Sequence, residues 1–191
     1  MHKKLYIPGP VEIAPDVYEA MCAPMIGHRM KEYAVVHKSV TDQLKALLNT
    51  TEPVFLSTSS AFGIMEGAVR NLVQKRCANF SNGAFSAKWH DVTKRCGLEA
   101  DHFAADWGQP VTAAMVDSAL STGKYDAMTL VHNETSTGVL SPLTEIAAVM
   151  QKYPEVSFIV DTVSSMTAVP IDFTALGMDV CLAGVQKAFG L

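Results

Sequence analysis

The chain has 191 residues, 49% of them hydrophobic and 18% charged, enough apolar side chains for a core and too little charge for a disordered chain. Its net charge of -4, with no basic block, excludes nucleic acid as a main partner. No apolar run has the length of a membrane-spanning helix, and the run before Pro8 is too short for a signal peptide.

Residues 1–30 read as an irregular N-terminal segment, punctuated by Pro8-Gly9-Pro10, Pro15 and Pro24, with a short helix over 16–21. Residues 31–191 read as one α/β domain. Val36, Val40, Leu44, Leu47 and Leu48 recur at helical spacing and predict a helix over 32–48, closed by Asn49 and Pro53. Val54-Phe55-Leu56 predicts a short strand. It runs into Ser57-Thr58-Ser59-Ser60-Ala61-Phe62 and then a helix over 63–74. A serine-rich loop feeding a helix is a phosphate-cup signal, because free N–H groups and the helix dipole both favour an anion. The same serines also suit an ordinary N-cap.

An alternation follows. Strands are predicted over 77–81, 98–104, 125–132, 156–160 and 180–185, and helices over 85–96, 111–120 and 143–153. Asn82-Gly83 marks a turn, while Pro142 opens and Pro154 stops a helix. Strands and helices in this order imply a mostly parallel sheet with helices on both faces. Cys22, Cys77, Cys96 and Cys181 are scattered without CxxC spacing and read as reduced thiols of a cytoplasmic protein. His90 and His102 show no metal spacing and read as structural or surface residues.

The strand ends carry the polar residues: 57–62, 82–85, 132–138, Asp161 after Phe158-Ile159-Val160, and Gln186-Lys187 after the last strand. In open α/β sheets these ends gather at the ligand-binding edge. A carboxylate and an amine presented together there suit pyridoxal phosphate, whose aldehyde takes a lysine and whose ring nitrogen pairs with an acid.

The order STSSAFGIMEGAVRNL, SNGAFS, HNETSTG, FIVDTVSS and GVQKAFG resembles the class V aminotransferases, fold type I pyridoxal-phosphate enzymes that include alanine–glyoxylate, serine–pyruvate and phosphoserine aminotransferases. The resemblance runs from Pro8-Gly9-Pro10 to Lys187. It implies the N-terminal part of a fold type I large domain. It implies Lys187 as the Schiff-base lysine and general base, and Asp161 as partner of the ring nitrogen. Val163 and Phe85 would pack on the two faces of the ring, and Thr135 would reach its phenolic oxygen. Ser60, Ala61 and Phe62 would form the phosphate turn, with Gln186 as a further phosphate contact. That turn departs from the family: Ser59, Ala61 and Phe62 stand where two glycines and a hydroxyl are common. Backbone N–H donors survive the change, but glycine's freedom at positive φ does not. Arg29 suits a substrate carboxylate and a solvated surface equally well.

The implied activity is amino-group transfer between a small amino acid (alanine, serine or phosphoserine-like) and a 2-oxo acid such as glyoxylate or pyruvate, in a homodimer. Two alternatives stand beside it. One is a cysteine desulfurase or lyase on the same scaffold, which needs a mobile cysteine that none of the four resembles. The other is an inactive cofactor-binding fragment. The chain stops four residues after Lys187 with no closing helix over the sheet edge, as expected of an incomplete domain.

Overall fold

The computed structural model describes residues 3–191, so Met1 and His2 of the N-terminal segment lie outside it. Two helices come first, α1 (Pro15–Met21) and α2 (Lys31–Leu47). The α/β part runs α3 (Ala61–Leu72), β1 (Cys77–Ser81), α4 (Ala84–Arg95), β2 (Ala100–Ala104), α5 (Ala113–Leu120) and β3 (Ala127–Val131). It continues through β4 (Asn133–Glu134), β5 (Val139–Leu140), α6 (Leu143–Met150), β6 (Ser157–Asp161), α7 (Phe173–Leu176) and β7 (Val180–Leu182).

Five strands form one sheet in the order β2-β1-β3-β6-β7, and every pairing in it is parallel. The chain leaves β1 for β2 on one side and returns to β3 on the other. That reversal puts a topological switch point between β1 and β3, with all five C-terminal ends on one edge. The expected architecture of a parallel sheet under helices is therefore the one observed.

Alternation along the strands fills two cores. Ala78, Phe80, Met128, Leu130, Phe158 and Val160 face α5 and α6, where Val116, Leu120, Ile146 and Met150 pack against them. Cys77, Ala127, Val131, Ile159 and Leu182 face the other way, toward Met65 and Val69 of α3 and Trp89 and Val92 of α4. β1 and β3 are buried along their whole length, as central strands covered on both faces must be.

Several expected boundaries shift. Val54-Phe55-Leu56 forms no strand: nothing pairs with it, and Phe55 is 86% exposed. A short apolar run becomes a strand only where a neighbour supplies the ladder. The last strand stops at Leu182 because Ala183 and Gly184 leave the ladder for a turn. The β4–β5 ladder was not anticipated, being two residues long on each side. Neither was α7, although Asp172 caps it by accepting from Ala175 N at 2.9 Å and Gly177 closes it at φ 62°.

Helix α2 departs in packing rather than in position. The apolar spacing that predicts it gives a helix, yet no residue of the helix is buried, and Val36 is 50% exposed.

Candidate functional site

Asp161 closes β6 and is 8% exposed. Its Oδ2 accepts the indole N–H of Trp89 at 3.1 Å, and its Oδ1 accepts the backbone N–H of Val163 at 2.9 Å. No cation pairs with it among the described residues. Burial pushes its pKa above the ordinary carboxylate value, while the two donors pull it back. Such a carboxylate is costly unless a positive group joins it. Trp89 was absent from the sequence-based site. Its place one helical turn after Phe85, on the same side of α4, is the signal that could have found it.

Lys187 lies a few residues beyond Leu182, which pairs with Asp161 across β6 and β7. The two charges thus leave adjoining strands. The Nζ of Lys187 donates to the carbonyl of Pro8 at 2.7 Å, and Val11 N donates to the carbonyl of Gln186 at 3.1 Å. Residues 8–11 therefore run alongside Gln186-Lys187. Gly9 makes this approach possible: its φ is +151°, and a Cβ there would lie 2.8 Å from both Cδ and Nζ of Lys187.

Glu134 follows β3 across the switch point from α4. It is fully buried, and its carboxylate accepts five hydrogen bonds. Ser86 gives two, from N and Oγ, both at 2.7 Å. Phe85 N gives one at 3.2 Å, and Ser136 gives N at 3.0 Å and Oγ at 2.8 Å. Burial opposes the charge, but the donors of Ser86 and Ser136 together hold its pKa below the ordinary value. The first turn of α4, which carries Phe85, is thereby fastened to the loop that carries Thr135. Glu134 stood inside a quoted motif without a role, because a sequence does not reveal which backbone donors a carboxylate will meet.

Thr135 Oγ1 donates to Ser164 Oγ at 3.0 Å, and Ser164 Oγ donates to the carbonyl of Asn133 at 2.8 Å. This ties the loop after β3 to the loop after β6, where half-buried Val163 lies. His132 Nδ1 lies 3.0 Å from Ser165 Oγ, and burial lowers its pKa, which keeps the ring neutral near pH 7.

Ser60 precedes α3 without capping it through its side chain. The serines before it bond among themselves: Ser59 N donates to Ser57 Oγ at 3.2 Å, and Ser59 Oγ donates to the carbonyl of Ser60 at 3.1 Å. The N–H groups of Ala61 and Phe62 have no partner among the described residues, so this helix start is open to an anion. Gln186 is exposed, and Gly184 leaves room for its amide: a Cβ on Gly184 would lie 2.6 Å from Gln186 Oε1.

These residues have the donors and charges that pyridoxal phosphate requires: an open helix start, a buried carboxylate lacking a cation, and a lysine from the next strand. Among the described residues no cluster of His, Cys, Asp and Glu could hold a metal ion, and no helix is long and apolar enough to cross a membrane.

The family model described as aminotransferase class-V matches residues 16–191. An uncharacterized aminotransferase of Methanocaldococcus jannaschii is 35% identical over 190 residues, covering 97% of this chain and 49% of that protein. The serine–glyoxylate aminotransferase of Arabidopsis thaliana is 32% identical over 194 residues, covering 98% and 48%. Among solved structures, the alanine–glyoxylate aminotransferase of Nostoc sp. superposes with a TM-score of 0.90 at 27% identity, over 96% of this chain and 49% of that one. The chain thus spans about half the length of the curated relatives it matches. The fold is the fold type I architecture that the resemblance implied, and the chain belongs to the class V aminotransferase family.

Proposed function

We propose that this chain is the cofactor-binding part of a pyridoxal-phosphate aminotransferase acting on a small amino acid and a 2-oxo acid. The observation that carries the reading is Asp161: a buried carboxylate without a cation among the described residues, on the strand next to the one that leads to Lys187. Relatives named serine–glyoxylate, L-aspartate–glyoxylate and alanine–glyoxylate aminotransferase support glyoxylate as acceptor and a small amino acid as donor.

The cofactor, when bound, supplies an electron sink for charge released at the substrate's α-carbon. Asp161 would hold the proton on the ring nitrogen. Lys187 would hold the cofactor through its Nζ, and its amine would serve as the base for the substrate's α-proton. Phe85 and Val163 pack on the ring, with Phe85 fixed through the grip of Glu134 on its backbone. Thr135 would hold the phenolic oxygen. The N–H groups of Ser60, Ala61 and Phe62 and the amide of Gln186 would hold the phosphate.

Two of the four cysteines lack the reactive thiolate that the desulfurase reading needs. Burial pushes Cys77 up to about 12 and Cys181 up to about 11, so neither offers a thiolate near neutral pH. The unpaired apolar stripe of α2 supports a homodimer, and the four free cysteines support a cytoplasmic site of action. A second reading is cofactor binding without turnover. The test is a half-reaction: protein loaded with pyridoxal phosphate is mixed with L-serine or L-alanine, and the 2-oxo acid released is counted. One equivalent per bound cofactor supports the aminotransferase. Binding with no 2-oxo acid supports the second reading.

A further inference from the structure

Lys88 lies between two rings, that of Phe85 three residues earlier on α4 and that of Phe62 on α3. Its Nζ lies 4.7 Å from the ring centroid of Phe85 and 5.2 Å from that of Phe62. Phe85 belongs to the first turn of α4 and Phe62 to the first turn of α3, and the two helices pack together. The ammonium therefore bridges two helix starts at the sheet edge where a ligand binds. It forms no hydrogen bond and no ion pair among the described residues, whereas Lys38 and Lys152 each hold a carboxylate. Two aromatic faces hold a cation in place without neutralising it.

The surroundings call for an anion. The start of α3 is uncapped, with the N–H groups of Ala61 and Phe62 free. The buried acid nearby, Glu134, is committed to its five donors. The side chain of Phe62 cannot hydrogen-bond a phosphate, yet it stands at the turn where a hydroxyl is common. What it offers is a surface on which a lysine from the neighbouring helix rests.

Building on the pyridoxal-phosphate reading, we propose that Lys88, held between Phe62 and Phe85, is a phosphate-binding residue of this site and compensates for the hydroxyl that Phe62 replaces. Its contribution is a point charge rather than a fixed fork, so an arginine can stand in for it.

The test compares two ligands with the same ring and aldehyde, pyridoxal phosphate and pyridoxal, titrated against the 191-residue chain, Lys88→Met and Lys88→Arg. Far-UV circular dichroism confirms that each variant is folded, and Lys88→Gln replaces the methionine variant if that one is not. Lys88→Met is expected to weaken pyridoxal phosphate about tenfold and pyridoxal by less than about twofold, with Lys88→Arg close to the parent. Added salt is expected to weaken the parent's affinity for pyridoxal phosphate more than that of Lys88→Met. Equal losses for both ligands, or unchanged affinity for pyridoxal phosphate, would overturn the role of Lys88 alone. A parent chain that binds neither ligand would overturn the cofactor reading beneath it.

Discussion

Glu134 and Gly83 meet so closely that neither position has latitude: a Cβ on Gly83 would stand 2.5 Å from Cγ of Glu134. The backbone at Gly83 is extended, with φ 169° and ψ -165°, so conformation alone does not demand glycine there. Space does, because the carboxylate has to reach the N–H groups at the start of α4. Gly83→Ala is expected to cost about 1–3 kcal/mol in urea unfolding. A variant as stable as the parent would show that the carboxylate can retreat.

Two buried carboxylates should give opposite pH signatures. Glu134 has a lowered pKa in the fold, so its stabilisation is present above its ordinary 4.5 and is lost as pH falls through the lowered value. Asp161 has a raised pKa, so the protonated fold is favoured, and stability falls as pH rises from its ordinary 3.8 toward the raised value. Unfolding free energy measured against pH should lose the acid-side decline in Glu134→Gln. In Asp161→Asn it should lose the decline on the rising side. Profiles parallel to the parent would refute both assignments.

Trp89→Phe keeps a ring in the core but deletes the donor to Asp161 Oδ2. The loss is expected to cost about 1.5–3 kcal/mol of stability, as for a hydrogen bond to a charged group. It should also weaken pyridoxal phosphate binding, because a carboxyl that stays protonated to higher pH offers the ring nitrogen less negative charge. Unchanged affinity in a destabilised variant would make Trp89 a packing residue only.

Gly9→Ala probes the N-terminal segment. A side chain there meets Lys187 and a backbone at φ +151° that L-residues rarely adopt. Residues 8–11 should be displaced, the hydrogen bond from Lys187 Nζ to Pro8 should be lost, and capture of pyridoxal phosphate should slow. Parent-like capture kinetics would contradict a link between this segment and the lysine.

The alternation of β1, β3 and β6 with α4, α5 and α6 was legible because short, mostly apolar runs alternate with helical spacing and turn residues. Val54-Phe55-Leu56 was misread for the same reason, since an apolar run does not say whether a neighbour exists to pair with it. Asp161 and Lys187 were legible as charges that end apolar runs. Glu134 and Trp89 were not. Their roles depend on distances across the switch point and between α4 and β6: the spacing from Phe85 gives the side of α4 on which Trp89 lies, but not its hydrogen bond to Asp161. The open stripe of α2 shows the same limit: helical spacing identifies an apolar face but not what covers it.

The most direct measurement is borohydride reduction of the chain mixed with pyridoxal phosphate, followed by digestion and peptide mapping. Reduction fixes the cofactor on whichever amine holds it. A phosphopyridoxyl group on Lys187, in near-stoichiometric amount and strongly diminished in Asp161→Asn, is the expected result. Label spread over exposed lysines such as Lys38 and Lys152, or no label at all, would contradict the assignment of Lys187 and Asp161 as the pair that holds the cofactor.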